Sequence, residues 1–174
     1  MEYPEIRQET SADTPAVYAV NLAAFGADNE ARLVDLLRAD EAFIPELSIV
    51  ATLDGQIAGH ILFTKIKIID ESGREHDSLA LAPMAVLPAF QRQGIGSQLV
   101  RYGLARAQAL GYRSVIVLGH EHYYPKFGFM PAARWNIKPP FEAPAAAFMG
   151  IELVKDGLKS VSGTVRYPKA FEMV

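Results

Sequence analysis

The stretch that decides the fold is Leu79 to Leu99, LALAPMAVLPAFQRQGIGSQL. Its first part, Leu79 to Val86, is an apolar run of strand length interrupted by Pro83. Proline has no N–H to give to a ladder, so Pro83 predicts an edge, a bulge or a place where neighbouring strands separate. A turn begins at Pro88, and Gln91-Arg92-Gln93-Gly94-Ile95-Gly96 opens directly into a helical pattern from Gly94 to Leu110. Ile95, Leu99, Tyr102 and Ala107 are expected on its inward face, and Gly111 is a natural stop. Ser114 to Leu118 (SVIVL) then has the length and β-branching of a buried strand. The order is therefore strand, helix, strand.

Working outward, Tyr3 to Gln8 predicts a first strand. Ser11 or Asp13 with Pro15 marks the start of a helix over Ala16 to Phe25, which Gly26 ends. A second helix is expected from Asn29 to Ala39, with Leu33, Leu36 and Leu37 on one face. Leu47 to Leu53 and Ile57 to Ile68 flank Asp54-Gly55, a dipeptide that accepts the positive φ angles of a tight hairpin. Alternation in the second of these strands is imperfect, which predicts a bulge. Glu71 to Arg74 reads as a turn around Gly73, and Tyr123 to Phe127 as a short helix. Phe148 to Val154 and Gly163 to Tyr167 read as late strands. Antiparallel hairpins followed by a strand-helix-strand unit make a three-layer α/β fold, taken as a single domain over residues 1–174.

Composition removes several classes of function. The chain has 174 residues, half of them hydrophobic, which excludes wholesale disorder. With 17 basic against 20 acidic residues there is no basic excess to grip nucleic acid or an anionic membrane. The absence of Cys excludes disulfides, thiolate metal sites and a Cys nucleophile. No leader-like start and no long apolar run is visible, so a cytoplasmic protein is expected.

The loop before the long helix carries the chemistry. Its glycines allow close approach of a ligand, and the first amides of a helix are unpaired donors at the positive end of its dipole. Arg92 adds a cation, and a diphosphate is the natural guest. The dinucleotide fingerprint fails, because Leu99 stands at its last small-residue position and no acidic residue lies in Tyr112 to Leu118. No Gly-Lys-Ser or Gly-Lys-Thr tripeptide is present for a Walker loop. Gly94 and Gly96 on their own also suit a plain tight turn.

Gln91-x-x-Gly94-x-Gly96, preceded by Met84-Ala85-Val86-Leu87-Pro88, resembles the acyl-CoA-binding motif of the GNAT superfamily of N-acyltransferases. Tyr124-Pro125-Lys126-Phe127-Gly128-Phe129 is similar to the Tyr-x-x-x-Gly-Phe element that closes the site in that superfamily. Asn29 to Arg38, Gly59 to Phe63 and the tail from Val161 to Pro168 resemble a bacterial subgroup of predicted acetyltransferases, so the likeness spans most of the chain. The resemblance implies a mixed, mostly antiparallel sheet whose central parallel strands splay apart between flanking helices. It implies acetyl-CoA as co-substrate, with the backbones of Met84, Ala85 and Val86 on the pantetheine. The amides of Gln91, Arg92, Gln93, Gly94, Ile95, Gly96 and Ser97 would hold the pyrophosphate. An exposed amide near Met84 or Val86 would polarise the thioester carbonyl. Tyr124 falls where the family places its general acid, with Tyr123 as packing or ligand contact.

The implied reaction is acetyl transfer to a primary amine by direct attack on the thioester. The alternative is a non-catalytic acyl-CoA-binding sensor or regulatory module. The strand from Leu79 to Val86 offers no carboxylate for proton removal, which leaves Glu30, His60, His120 and Glu121 as candidate bases. His120-Glu121-His122 has poor spacing for shared coordination, so no metal is expected. Phe25, Phe43, Trp135 and Phe141 are candidate acceptor-pocket aromatics, and the Pro-rich segment from Pro131 to Pro144 is expected to cap that pocket. The acceptor, a small molecule or a peptide amine, is not legible. A homodimer is the base-rate assembly.

Overall fold

The computed structural model describes residues 3–174. One sheet takes in nine strands: β1 (Glu5–Gln8), β2 (Phe43–Leu53), β3 (Gln56–Ile69), β4 (Glu75–Val86), β5 (Ser114–Leu118), β6 (Met130–Pro131), β7 (Ile137–Lys138), β8 (Phe148–Glu152) and β9 (Gly163–Arg166). The main path runs β1-β2-β3-β4-β5-β8-β6, while β9 pairs with both β3 and β7. Neighbours are antiparallel except β4 with β5 and β7 with β9. The helices are α1 (Thr14–Phe25), α2 (Asn29–Arg38) and α3 (Ile95–Ala109). The expected three-layer α/β architecture is therefore observed.

Both faces of the sheet are covered, which explains the sequence pattern of its strands. Ile49, Ala51, Ile61 and Phe63 face α3, where Ile95, Leu99, Val100 and Leu104 complete one core cluster. Their neighbours Val50 and Leu62 face the opposite way, against Val17, Val20, Leu33, Val34 and Leu37 of α1 and α2. Strands buried on two sides read as continuous apolar runs rather than as alternation. A third cluster, including Ile66, Ile116, Ile137, Phe148 and Val165, fills the far end under β7, β8 and β9.

Tyr102 departs from expectation. It is 40% exposed, and the inward row is Ile95, Leu99, Val100, Gly103, Leu104 and Ala107. The cause is the approach of α3 to the sheet: a Cβ on Gly103 would lie 2.2 Å from the ring of Phe63, itself fully buried. The helix turns its smallest residue, not its tyrosine, onto the sheet. The hairpin at Asp54-Gly55 has the expected positive φ values of 51° and 72°. A bulge in β3 also occurs, with the register shifting between Ala51↔Gly59 and Thr52↔Ile57.

The feature that positions the site lies in β4. Ile61 pairs with Met84 and Phe63 with Leu81, so two residues of β4, Ala82 and Pro83, stand opposite the single Leu62. This is a bulge on β4, and bulges bend and twist the strand that carries them. On its other edge β4 pairs with β5 only at Leu79↔Val115 and Ala80↔Ile116. From Leu81 onward the two parallel strands part. Pro83 marks this place, as its missing N–H requires.

Filling the space over Phe63 should be costly. Gly103→Val is expected to lower unfolding stability by about 2 kcal/mol or more, the scale of overpacking a tight core. Urea denaturation checks this, and a stability equal to the parent's would show that α3 and β3 are not pressed together as described.

Candidate active site

The parting of β4 and β5 opens a cleft of about 870 Å³. One wall is β4 from Leu81 to Val86, and the floor is the loop and first turn of α3, with Gln91, Arg92, Gly94, Ile95, Gly96 and Ser97. The other wall is the end of β5 and the turn after it, with Leu118, Gly119, His120, Tyr123, Tyr124 and Lys126. Every cofactor-site residue expected from the sequence lines this cleft except Gln93, whose side chain is exposed and donates to Ala89 O at 3.4 Å.

The loop holds its amides free. Gly94, at φ 87°, is the residue before the first turn of α3, and this left-handed conformation favours glycine. The first backbone bond of the helix runs from Gln98 N–H to Gly94 O at 3.1 Å. Among the described residues no backbone carbonyl accepts from the amides of Arg92 to Ser97. Such amides at a helix N-terminus attract anions. Gln91 braces the loop by donating from Nε2 to Val86 O at 2.9 Å, tying it to the end of β4.

Tyr124 begins a 3₁₀ turn over Tyr124–Phe127 and is only 7% exposed. Its ring meets Tyr123 and Phe129 edge-on, with centroids 5.1 and 5.6 Å away. A Cβ on Gly119 would sit 2.4 Å from the Tyr124 ring, so β5 must give way to a glycine for the ring to fit. Burial pushes the Tyr124 hydroxyl up to about 12, with Tyr123 adding to the shift. Tyr123 does more than pack: its hydroxyl lies 3.4 Å from Ser97 Oγ, joining the two halves of the cleft. Lys126, which sequence reasoning did not single out, stacks its ammonium 4.1 Å from the Tyr123 ring centre and also lines the cleft.

The candidate bases separate. Glu30 and His120 line the cleft. Glu121 does not; it is exposed, 3.6 Å from His122. His60 is corrected outright. It is fully buried, with Nε2 3.0 Å from Ser48 Oγ and Nδ1 3.3 Å from Asn21 Nδ2. An amide that donates to Nδ1 leaves the ring proton on Nε2, which donates to Ser48. The carboxylate of Glu9, held by Arg38 at 2.9 and 3.1 Å, lies nearby. His60 is a satisfied core residue.

The expected aromatics also divide. Phe25 lines the cleft, but Phe43 packs in the α1–α2 cluster and Trp135 in the third cluster. Of the segment from Pro131 to Pro144, only Pro140 and Phe141 border the cavity system, at a second lobe of about 580 Å³. Pro131, Trp135, Ile137 and Lys138 line neither lobe, being held by β6, β7 and the third cluster, whereas Pro140 and Phe141 wall the second lobe, which adjoins the cleft.

A mixed sheet opened beside an unpaired helix N-terminus, with a buried tyrosine across the gap, is the arrangement that the resemblance to N-acyltransferases implies. The sequence profile of the Acetyltransferase (GNAT) family matches residues 11–129, and the chain belongs to that family of N-acetyltransferases. It is 35% identical over 167 residues to the uncharacterized N-acetyltransferase YhbS of Escherichia coli (strain K12), covering 95% of this chain and 97% of that protein. The uncharacterized N-acetyltransferase YjhQ of the same organism is 40% identical over 122 residues, 70% of this chain and 67% of its own. The crystal structure of Escherichia coli YhbS in complex with CoA superposes with a TM-score of 0.91 at 33% identity, over 99% of this chain and 93% of that one. A GNAT family acetyltransferase from Brucella melitensis in complex with acetyl-CoA gives 0.79 at 35% identity, over 98% and 99%. GNAT enzymes use acetyl-CoA as co-substrate. Among the described residues no helix is long and apolar enough to cross a membrane.

His60 sets a pH dependence of stability. Burial holds it down to about 4, opposed by Glu9 and assisted by Arg38, against about 6.5 when unfolded. Below pH ~6.5 the unfolded chain takes a proton that the folded chain refuses, so stability is present above that pH and lost toward pH ~4. A shift of this size is worth about 3 kcal/mol. Glu9 and Asp13, whose pKa values are lowered, act below that window. Urea midpoints should fall from pH 7.5 to pH 5, and His60→Gln should flatten that fall. An equal slope in the variant would remove His60 as its source.

Proposed function

We propose that this chain, as a single domain, moves the acetyl group of acetyl-CoA to a primary amine by direct attack on the thioester. The observation that supports this best is the shared cleft, in which unpaired amides at one end face a buried tyrosine at the other. The residues fit a diphosphate: the donors from Arg92 to Ser97 are unsatisfied, and Arg92 lines the floor beside them. They hold the pyrophosphate, while the unpaired edge of β4 at Met84, Ala85 and Val86 takes the pantetheine as a strand would.

The chemistry needs a neutral amine, because an ammonium has no lone pair. Glu30 and His120, which line the cleft, are the candidates to receive its proton, directly or through water. As the C–N bond forms, charge on the carbonyl oxygen is met by an amide near Met84 or Val86. The C–S bond then breaks, Tyr124 O–H protonates the departing thiolate, and the proton lost by the acylated nitrogen returns through solvent to restore the phenol. Its raised pKa keeps the phenol protonated through the neutral range, so transfer is coupled to charge developing on sulfur. No feature of the site favours the non-catalytic sensor alternative. A cytoplasmic setting, where acetyl-CoA is plentiful, accords with this reading.

Two variants test the two ends of the cleft. Gly94→Glu puts a carboxylate against the diphosphate and is expected to weaken CoA binding at least about a hundredfold in calorimetry. Retained affinity would move the diphosphate elsewhere. Tyr124→Phe is expected to lower kcat about a hundredfold, the scale of lost general-acid catalysis, with CoA affinity within about twofold of the parent. Undiminished turnover, followed as free thiol, would take Tyr124 out of the mechanism.

A further inference from the structure

The second lobe lies on the far side of the parted strands. Leu33, Leu81, Ala82 and Leu118 line both lobes, so the two meet where β4 and β5 separate. Its walls are almost wholly apolar: Ala80, Ile116 and Val165 from the sheet, with Phe141, Tyr167 and Phe171 facing them. Phe141 stacks on Tyr167 with centroids 6.1 Å apart and planes 23° from parallel, and Tyr167 meets Phe171 at 4.9 Å. Burial pushes the Tyr167 hydroxyl up to about 12, as expected of a dry wall. Phe141 nevertheless leaves 46% of its surface open at the mouth of this lobe.

The charges are few. Arg166 is ion-paired to Glu75, and Glu172 is the one carboxylate of the lobe. A polyamine or an aminosugar, with several cations, would leave charges unpaired against apolar walls, and a lysine-rich peptide would find no acidic track. A flat apolar body would extend the Phe141–Tyr167 stack and lose water from both faces. A volume of about 580 Å³ suits a compact guest of that kind.

We propose that the second lobe takes the body of a compact aromatic primary amine carrying one positive charge, with Phe141 and Tyr167 setting that specificity. This rests on the acetyl-transfer reading: the ring lies in the second lobe and the amine reaches through the gap at Leu81, Ala82 and Leu118 to the thioester beside Tyr124. The C–N bond forms at the expense of the C–S bond; of the two protons the ammonium nitrogen loses, one is released to solvent and the other balances the proton that CoA carries away as the thiol.

Steady-state kinetics with acetyl-CoA and four amines test the assignment: 2-phenylethylamine, tryptamine, spermidine and tobramycin. The aromatic pair should exceed the polycations in kcat/KM by about tenfold or more, the effect of burying one ring against leaving cations unpaired. Phe141→Ala, at a half-exposed position away from the core, should raise KM for 2-phenylethylamine about fivefold while kcat and the calorimetric Kd for CoA stay within about twofold. Better turnover of spermidine or tobramycin, an unchanged KM in Phe141→Ala, or no aromatic turnover by protein that binds CoA would each overturn the inference alone. Failure to bind CoA at all would overturn it together with the acetyl-transfer reading.

Discussion

Two parallel strands that pair for two residues and then part are the constraint on which this molecule is built. Parallel neighbours normally continue their ladder, since an unpaired buried strand edge leaves amides and carbonyls without partners. Here β4 leaves β5 after Ala80↔Ile116, and the extra residue at Ala82-Pro83 turns the strand away. The exposed edge can only be satisfied by water or by a guest shaped like a strand. A cofactor with an extended amide arm would meet that need, and this is the role proposed for the edge at Met84, Ala85 and Val86.

The surroundings keep the gap from closing. On one side α3 is pressed onto β2 and β3 through Gly103 over Phe63, which fixes where its N-terminus points. Gln91 ties the amide loop to Val86, and the Ser97–Tyr123 contact sets the opposite wall. On the other face α1 and α2 pack on Val50, Leu62 and Ala85, with the His60–Ser48–Asn21 network beneath. Because His60 pairs with Ala85 in register, that polar core stiffens the segment of β4 that forms the cleft wall. Stability and site geometry thus share the same residues.

The division of labour across the gap comes from chemistry. On the proposed reading, anion binding needs only backbone amides and one cation, which the glycine loop and Arg92 supply. Proton delivery needs a titratable group shielded from water, and Tyr124 is buried by Phe127, Phe129 and Tyr123. The second lobe, the proposed acceptor side, is apolar and stacked. Each chemistry occupies its own wall of one cavity system.

Much of this was legible in the chain alone. The hairpin at Asp54-Gly55, the extents of β5 and α3, the parting at Pro83 and the amide loop all depend on local rules: φ preferences, missing donors, helix ends and spacing. So did the family, because its two motifs lie in sequence order. Long-range packing decided the rest. His60 looked like a candidate base, but only the assembled sheet shows it sealed between Ser48 and Asn21. Tyr102 fits a helical stripe, yet the approach to Phe63 gives that place to Gly103. Trp135 could have faced the cleft, and instead it packs in the third cluster, while Phe141 of the same Pro-rich segment walls the second lobe. Local sequence sets conformations within a few residues, whereas which side chains converge on a cavity depends on contacts between residues far apart in the chain, and those exist only in the folded state.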